Sequence, residues 1–192
     1  KLGAWLNQDS KIHFNSDSVL YVQGSALLGT LTKPINNGEY DFDYVYRRLL
    51  SKDSVTQQEL KKQVGDQLRR YIQHLKDTKE TDIPTLEEGK RCWRLQYKGK
   101  FHMDILPAIP DPEPQYLMNP ADGVIITDKE LTRWQFTNPK GYHSWFKQSM
   151  RVRLDEARVR LAKSVGVEVE KIPENEAKTT LQIAIQILKR HR

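Results

Sequence analysis

Three aspartates have the residue type and spacing of a metal-binding group. Asp41 and Asp43 flank Phe42 in an aromatic run, and Asp104 lies in the apolar run 101–106. In an extended strand residues i and i+2 project from the same face, so Asp41 and Asp43 are expected to point together. Two adjacent carboxylates repel each other unless a cation lies between them, and Mg²⁺ prefers such hard oxygen ligands. The pair predicts a divalent-metal site that Asp104 can complete.

Asp104 alternates with apolar neighbours along its own segment. If the segment is extended, Asp104 shares a face with His102 and Leu106, while Met103 and Ile105 belong to the opposite face. A carboxylate in so apolar a strand is costly to bury unless it is paired or bound to a metal. An isolated Asp-x-Asp is more often a solvated strand edge. The order and spacing of the three aspartates together favour one shared site.

A Gly-Ser pair follows the apolar run 19–23 and is a candidate phosphate-binding element. Gly24 permits close approach of the backbone, and a short helix beginning there would present N–H groups beside the Ser25 hydroxyl. Such donors can hold the β- and γ-phosphates of a nucleoside triphosphate. A lone Gly-Ser is usually only a turn, so the aspartates further along the chain give it its weight. Gln23 is either a substrate contact or a strand-end amide.

Periodic patterns predict the elements that position these residues. Residues 1–7 resemble the end of a helix, and apolar residues at helical spacing predict an amphipathic helix over roughly 55–76. Alternation over 93–97, followed by the turn 98–100, predicts a hairpin that leads into the Asp104 strand. A loop over 33–38 joins the first two strands, and 119–126 is expected to form a loop and a short strand. Regular structure is expected to stop at four prolines, namely Pro107, Pro110, Pro112 and Pro114.

The C-terminal part of the chain is predicted to be helical. Apolar residues at helical spacing mark a long helix from Tyr142, and a second apolar helix follows Pro173. Lys189, near the end of the second helix, is a candidate contact for a triphosphate. This helix lacks a C-terminal cap and a partner for its apolar face, so we expect further C-terminal helices. The predicted fold class is α+β, with a mixed-sheet core over residues 1–135 and a partial helical lobe over residues 136–192.

Composition argues against several other classes of protein. The chain has 192 residues, of which 38% are hydrophobic, and this is enough for one substantial core. It has no signal peptide and no apolar run that could span a bilayer, so we expect a cytoplasmic protein whose true N terminus precedes Lys1. The single cysteine, Cys92, excludes a disulfide framework and a multi-cysteine zinc ribbon, and a packed thiol is expected there. The net charge of +6 is spread along the chain, which argues against a dedicated nucleic-acid surface.

These motifs resemble those of one enzyme family. The segments 23–25, 28–30 and 39–43, with the strand that contains Asp104, resemble the DNA polymerase β-like nucleotidyltransferase superfamily. Within that superfamily the chain resembles the bacterial CD-NTases. These enzymes are relatives of cyclic GMP-AMP synthase and oligoadenylate synthase, and they make cyclic oligonucleotide signals in CBASS anti-phage defence. The narrower resemblance lies in Trp5-Leu6, Cys92-Trp93-Arg94-Leu95, Trp145-Phe146 and the segments 102–107, 138–142, 178–182 and 188–192.

The resemblance implies an enzyme that condenses NTPs into a cyclic di- or oligonucleotide signal by two-metal phosphoryl transfer. The resemblance implies that Asp41, Asp43 and Asp104 are catalytic and that they bind two Mg²⁺ ions, for which Mn²⁺ can substitute. The expected nucleotide contacts are Gly24, Ser25, Gln23 and Lys189.

The implied partners are NTPs, CBASS accessory proteins and a separate effector that responds to the product. No membrane and no obligatory DNA activator are expected. Two alternatives remain open on the sequence alone. One is another polymerase β-like nucleotidyltransferase that modifies RNA, protein or a small molecule, and the other is a catalytically inactive nucleotide-binding module.

Overall fold

The computed structural model describes residues 1–9, 20–34, 38–111, 122–128, 130–171 and 179–190. Within these ranges seven strands form one mixed sheet and five α-helices accompany it, which confirms the predicted α+β class. The strands are β1 (Leu20–Gln23), β2 (Tyr40–Arg47), β3 (Thr85–Glu88), β4 (Trp93–Tyr97), β5 (Phe101–Pro110), β6 (Val124–Ile126) and β7 (Gln135–Thr137). The helices are α1 (Leu2–Asp9), α2 (Gly24–Leu27), α3 (Gln57–Asp77), α4 (Pro139–Val165) and α5 (Thr180–Arg190).

The sheet has the strand order β1-β2-β5-β4-β3, and β2 and β5 form its parallel pair. The other pairs are antiparallel; β6 pairs with the C-terminal part of β5 and carries β7 on its other side. A parallel pair needs a long crossover, which is supplied here by α3 and the strands β3 and β4. The predicted hairpin is confirmed, because Tyr97 pairs with Phe101 across the turn 98–100.

The long helix α3 confirms the amphipathic pattern over residues 55–76. It begins after Thr56, whose hydroxyl accepts a hydrogen bond from the Glu59 N–H while the Glu59 carboxylate accepts one from the Thr56 N–H. This reciprocal cap satisfies two backbone donors at the helix start. The apolar side of α3 packs with α1 against the sheet through Leu68, Tyr71 and other buried residues.

The prediction that regular structure stops at Pro107 is wrong, because β5 continues through this residue and ends at Pro110. The Arg48 N–H donates to the Ala108 carbonyl, so Ala108 directs its backbone groups toward the β2 side. The backbone nitrogen of Pro107 therefore faces the opposite edge of β5. On that edge the pairing with β4 ends at Ile105, and the pairing with β6 begins at Ala108. A missing N–H is tolerated there because no ladder bond is lost.

The C-terminal helices carry many exposed apolar side chains. α4 begins after Asn138, whose side-chain oxygen accepts from the Gly141 N–H, and it ends at Val165, with Gly166 in the left-handed conformation as its C-terminal cap. Leu161 and Val165 on α4 and Leu188 on α5 are exposed. The sheet extends to Thr137 in β7, and the division into a core and a helical lobe stays a prediction.

Some predicted features lie outside the described residues. These are Pro112, Pro114, Lys178, His191, Arg192, loop residues 35–37 and residues 119–121. Cys92 is half-buried, and burial raises the pKa of its thiol, as expected of a packed side chain. In the described part of the chain, none of the helices combines the length and the apolar character that crossing a bilayer requires.

Candidate active site

The parallel pairing of β2 and β5 assembles the three aspartates. Asp43 lies directly opposite Asp104, and Asp41 lies opposite His102. Since Asp41 and Asp43 are two residues apart on one strand, all three carboxylates reach the same face of the sheet. One ligand oxygen from each lies within 4.8 Å of the others. The structure thus brings the predicted metal-binding residues together, and the set of three hard oxygen donors suits Mg²⁺ or Mn²⁺.

The surroundings of Asp43 disfavour its charged form. Its half-buried position, together with the neighbouring Asp41 and Asp104 carboxylates, raises its pKa. Both causes disfavour the charged form, and a cation among the three carboxylates would reverse the second one. The cluster therefore has the chemistry of a divalent-metal site.

Arg94 is a site residue that was not predicted from the sequence. Its Nε and Nη2 atoms donate to the two carboxylate oxygens of Asp104 at 2.7 and 2.8 Å, a bidentate pair that raises the pKa of Arg94. The two hydrogen bonds restrict the orientation of the Asp104 carboxylate, whose side chain is 18% exposed. The predicted hairpin contained the signal: pairing Tyr97 with Phe101 places Arg94 opposite Asp104.

Asp41 also has a polar neighbour, the His102 side chain. His102 Nε2 lies 3.0 Å from Asp41 Oδ1, and His102 Nδ1 lies 3.9 Å from Glu39 Oε2. Glu39 also accepts hydrogen bonds from the Gln96 side-chain amide and, at 2.7 Å, from the Gly99 N–H. Strand alternation had predicted that His102 lies on the Asp104 face, but it indicated no role for this side chain.

The Gly-Ser segment, which comprises residues 24–31, begins directly beside the aspartates. β1 is antiparallel to β2, and Gln23 at its end pairs with Asp43. Gly24 then begins α2 with φ +61°, and a Cβ atom placed there would lie 2.5 Å from Asp43 Oδ2. Both the left-handed backbone and this close approach require glycine. The structure thus places Gly24 and Ser25 next to the predicted metal ligands.

The remaining predicted nucleotide contact, Lys189, reaches the same segment from α5. Its Nζ donates to the Thr30 carbonyl at 3.3 Å. Thr30 in turn is linked to Ser25, since the Thr30 N–H donates to the Ser25 carbonyl at 2.9 Å. Lys189 therefore contacts the backbone of the Gly-Ser segment at Thr30. The prediction that Lys189 binds nucleotide stays a prediction.

A cavity of about 470 Å³ opens beside Gly24. Gln23 lines it together with Leu28 and two partly exposed rings, Phe136 and Tyr142. Aromatic faces of this kind can stack on nucleobases. The cavity thus offers, next to Gly24, a surface that is suited to the planar part of a nucleotide.

Comparisons with known proteins agree with this geometry. Residues 19–107 match the family model of the Cyclic GMP-AMP synthase DncV-like nucleotidyltransferase domain. A c-di-GMP synthase from Roseivirga ehrenbergii is 30% identical over 193 residues, which cover 100% of this chain and 46% of that protein. These matches support a bacterial CD-NTase. The chain spans about half the length of these relatives.

Two solved structures share the fold of this chain. CdnG from Bradyrhizobium diazoefficiens, solved in complex with GTP, is 21% identical with a TM-score of 0.58, covering 90% of this chain and 50% of that one. The Vibrio cholerae DncV cyclic AMP-GMP synthase, solved with nonhydrolyzable GTP, is 21% identical with a TM-score of 0.52, covering 77% of this chain and 38% of that one. At this level of identity the likeness concerns the fold.

Proposed function

We propose that the full protein condenses NTPs into a cyclic di- or oligonucleotide by metal-assisted nucleotidyl transfer. The observation that carries the proposal is the register of β2 and β5, which places Asp41, Asp43 and Asp104 within 4.8 Å beside Gly24. The c-di-GMP synthase from Roseivirga ehrenbergii, whose alignment covers 100% of this chain, supports a cyclic dinucleotide as the class of product.

In the proposed reaction each part of the site has a distinct role. A sugar hydroxyl of one nucleotide attacks the α-phosphorus of another, the bond to the pyrophosphate breaks, and the hydroxyl proton is released. Asp41, Asp43 and Asp104 would together hold two Mg²⁺ ions, with Asp41 and Asp43 on the side of the donor triphosphate and Asp104 on the side of the acceptor hydroxyl. Bound Mg²⁺ supplies a lower pKa for that hydroxyl and charge stabilisation for the departing pyrophosphate.

The chain's own side chains act mainly by positioning. Arg94 holds both Asp104 oxygens, and His102 contacts Asp41, so two of the metal ligands have restricted orientations. Ser25 and the N–H groups around Gly24 bind the phosphates, with Gln23 and Lys189 as further contacts. Correct alignment of the reacting groups contributes a large share of catalysis in phosphoryl transfer.

The similarity to bacterial CD-NTases also supports the proposed biological role. The product would act as a signal in CBASS anti-phage defence and would bind a separate effector, with accessory proteins as further partners. The cytoplasmic location expected from the sequence stays a prediction, and it is the compartment in which NTPs are available to such an enzyme.

The experiment that tests the proposal is a product analysis. Full-length protein is incubated with all four labelled NTPs and Mg²⁺ or Mn²⁺, and phosphatase-resistant products are identified by mass. We expect a cyclic product from the wild type and none from a folded Asp41→Asn/Asp43→Asn double variant. Activity of that variant within about tenfold of wild type would overturn the metal assignment. Transfer only to RNA, protein or a small molecule, or an absence of metal-dependent pyrophosphate release, would overturn the proposed reaction.

A further inference from the structure

Helix α5 approaches the Gly-Ser segment through a row of side-chain donors. Gln182 Nε2 donates to the Leu28 carbonyl at 2.7 Å, and Gln186 Nε2 donates to the Leu31 carbonyl at 2.6 Å. Lys189 continues the row with its bond to the carbonyl of Thr30. Positions i, i+4 and i+7 lie on one face of a helix, so this face of α5 is directed at the backbone that follows Ser25.

Gln182 is held in the orientation that this contact needs. Its Oε1 atom accepts from the Thr179 N–H at 2.8 Å and from the Thr179 hydroxyl at 3.2 Å. The Gln182 N–H donates back to the same hydroxyl at 3.3 Å, which completes a reciprocal cap at the start of α5. Because the oxygen end of the amide is bound to the cap, the nitrogen end must point outward to Leu28.

The close approach of α5 is matched by a glycine in the segment. Gly29 has φ +67°, and a Cβ atom placed on it would lie 2.6 Å from Gln182 Nε2. The held residues are connected to the Gly-Ser pair by backbone hydrogen bonds. The Leu28 N–H donates to the Gly24 carbonyl at 3.1 Å, and the Thr30 N–H donates to the Ser25 carbonyl at 2.9 Å.

We propose that Gln182 and Gln186 are positioning residues that hold the segment 24–31 in its nucleotide-binding conformation. The inference rests on the proposed function, because it takes Gly24 and Ser25 to be the phosphate-binding residues. Helix α5 fixes the carbonyl side of the segment, so that the N–H groups and the Ser25 hydroxyl keep their positions. The affinity of the protein for a triphosphate then depends on the contacts that α5 makes with this segment.

Two matched variants separate this role from simple helix capping. Gln182→Glu keeps the Oε1 acceptor of the cap, but it removes the donor to Leu28 and places a carboxylate oxygen against that carbonyl. Thr179→Val removes the cap hydroxyl and leaves the donor of Gln182 in place. Gln186→Met removes the second donor with little change in helix propensity. Hydrogen exchange of amides 25–31 in the full-length, nucleotide-free protein is compared across the variants, with thermal melting as a check on folding.

We expect amides 25–31 to exchange about tenfold faster in Gln182→Glu and Gln186→Met, and near the wild-type rate in Thr179→Val. In assays with Mg²⁺ and NTPs, Gln182→Glu and Gln186→Met should each raise KM about tenfold with little change in kcat. Wild-type exchange at 25–31 in both glutamine variants would overturn the inference. Because exchange is measured without substrate, that result is separate from a failure of the proposed synthesis, which the product analysis reports. If Gln182→Glu melts α5 as a whole, Gln186→Met decides by the same criterion.

Discussion

Replacing Gly24 by alanine tests whether the Gly-Ser segment and the metal ligands form one site. Gly24 has φ +61°, and the added Cβ atom would lie 2.5 Å from Asp43 Oδ2. Carbon–oxygen contacts of this kind do not fall below 3.0 Å, so the carboxylate oxygen must move by about 0.5 Å or more. The Asp43 side chain can rotate away at little cost to the fold, but it then leaves its position as a metal ligand.

The expected magnitudes separate stability from activity. Alanine in the left-handed region costs about 1–2 kcal/mol of folding stability. Gly166 is a matched control, because it has φ +69° and no atom within 4 Å of an added Cβ. Both alanine variants should lose a similar amount of stability. Only Gly24→Ala should lose activity, by about 10- to 100-fold, since misplacing a catalytic group by a fraction of an ångström to 1 Å has effects of that size.

The assay combines three measurements on the full-length protein. Thermal unfolding in EDTA gives the stability of each variant, Mn²⁺ binding followed by electron paramagnetic resonance gives the metal affinity, and product formation from labelled NTPs gives the activity. If Gly24→Ala binds Mn²⁺ and forms product as well as Gly166→Ala does, Gly24 is not needed to make room for Asp43 and the reasoning is refuted.

Further predictions concern single side chains and activation. Ser25→Ala should weaken NTP use without abolishing it, because one hydrogen bond to a charged phosphate contributes about 1.5–3 kcal/mol and the backbone donors remain; unchanged nucleotide affinity, or complete loss in a folded variant, would contradict this. Burial and neighbouring carboxylates raise the pKa of Asp43, so its ionisation destabilises the metal-free protein. Asp43→Asn should therefore melt at a higher temperature than wild type in EDTA at pH 7, and the difference should disappear below about pH 3, where Asp43 is protonated in both folded and unfolded chains. Arg94→Gln removes the cation that pairs with Asp104, so it should lower the metal-free melting temperature and enlarge the rise that Mn²⁺ produces; an unchanged Mn²⁺ response would argue against this balance of charge. Double-stranded DNA should not be required for turnover at physiological salt, and a salt-resistant stimulation of about a hundredfold or more by DNA or RNA would show otherwise.

Much of the local structure was predictable because it depends on residues that are close in the chain. The helix at Gln57–Asp77 and the hairpin at residues 97–101 follow from periodicity and turn residues. The opposition of Arg94 and Asp104 follows from that hairpin by counting residues away from the turn, yet it was not among the predictions. The strand end predicted at Pro107 is wrong because a proline is tolerated where a strand passes from one partner to the next, and only the sheet shows where that point lies.

The sequence by itself determined that Asp41 and Asp43 share a strand face, since alternation is a property of any extended chain. The tertiary structure decided that Asp104 lies opposite Asp43, because the register of a parallel pair depends on the packing of the whole crossover between the two strands. It also decided that Gln182 contacts Leu28, 154 residues earlier in the chain. Contacts of this kind have no local pattern, because they form only when separate elements bury their apolar faces together and the polar groups left between them find partners.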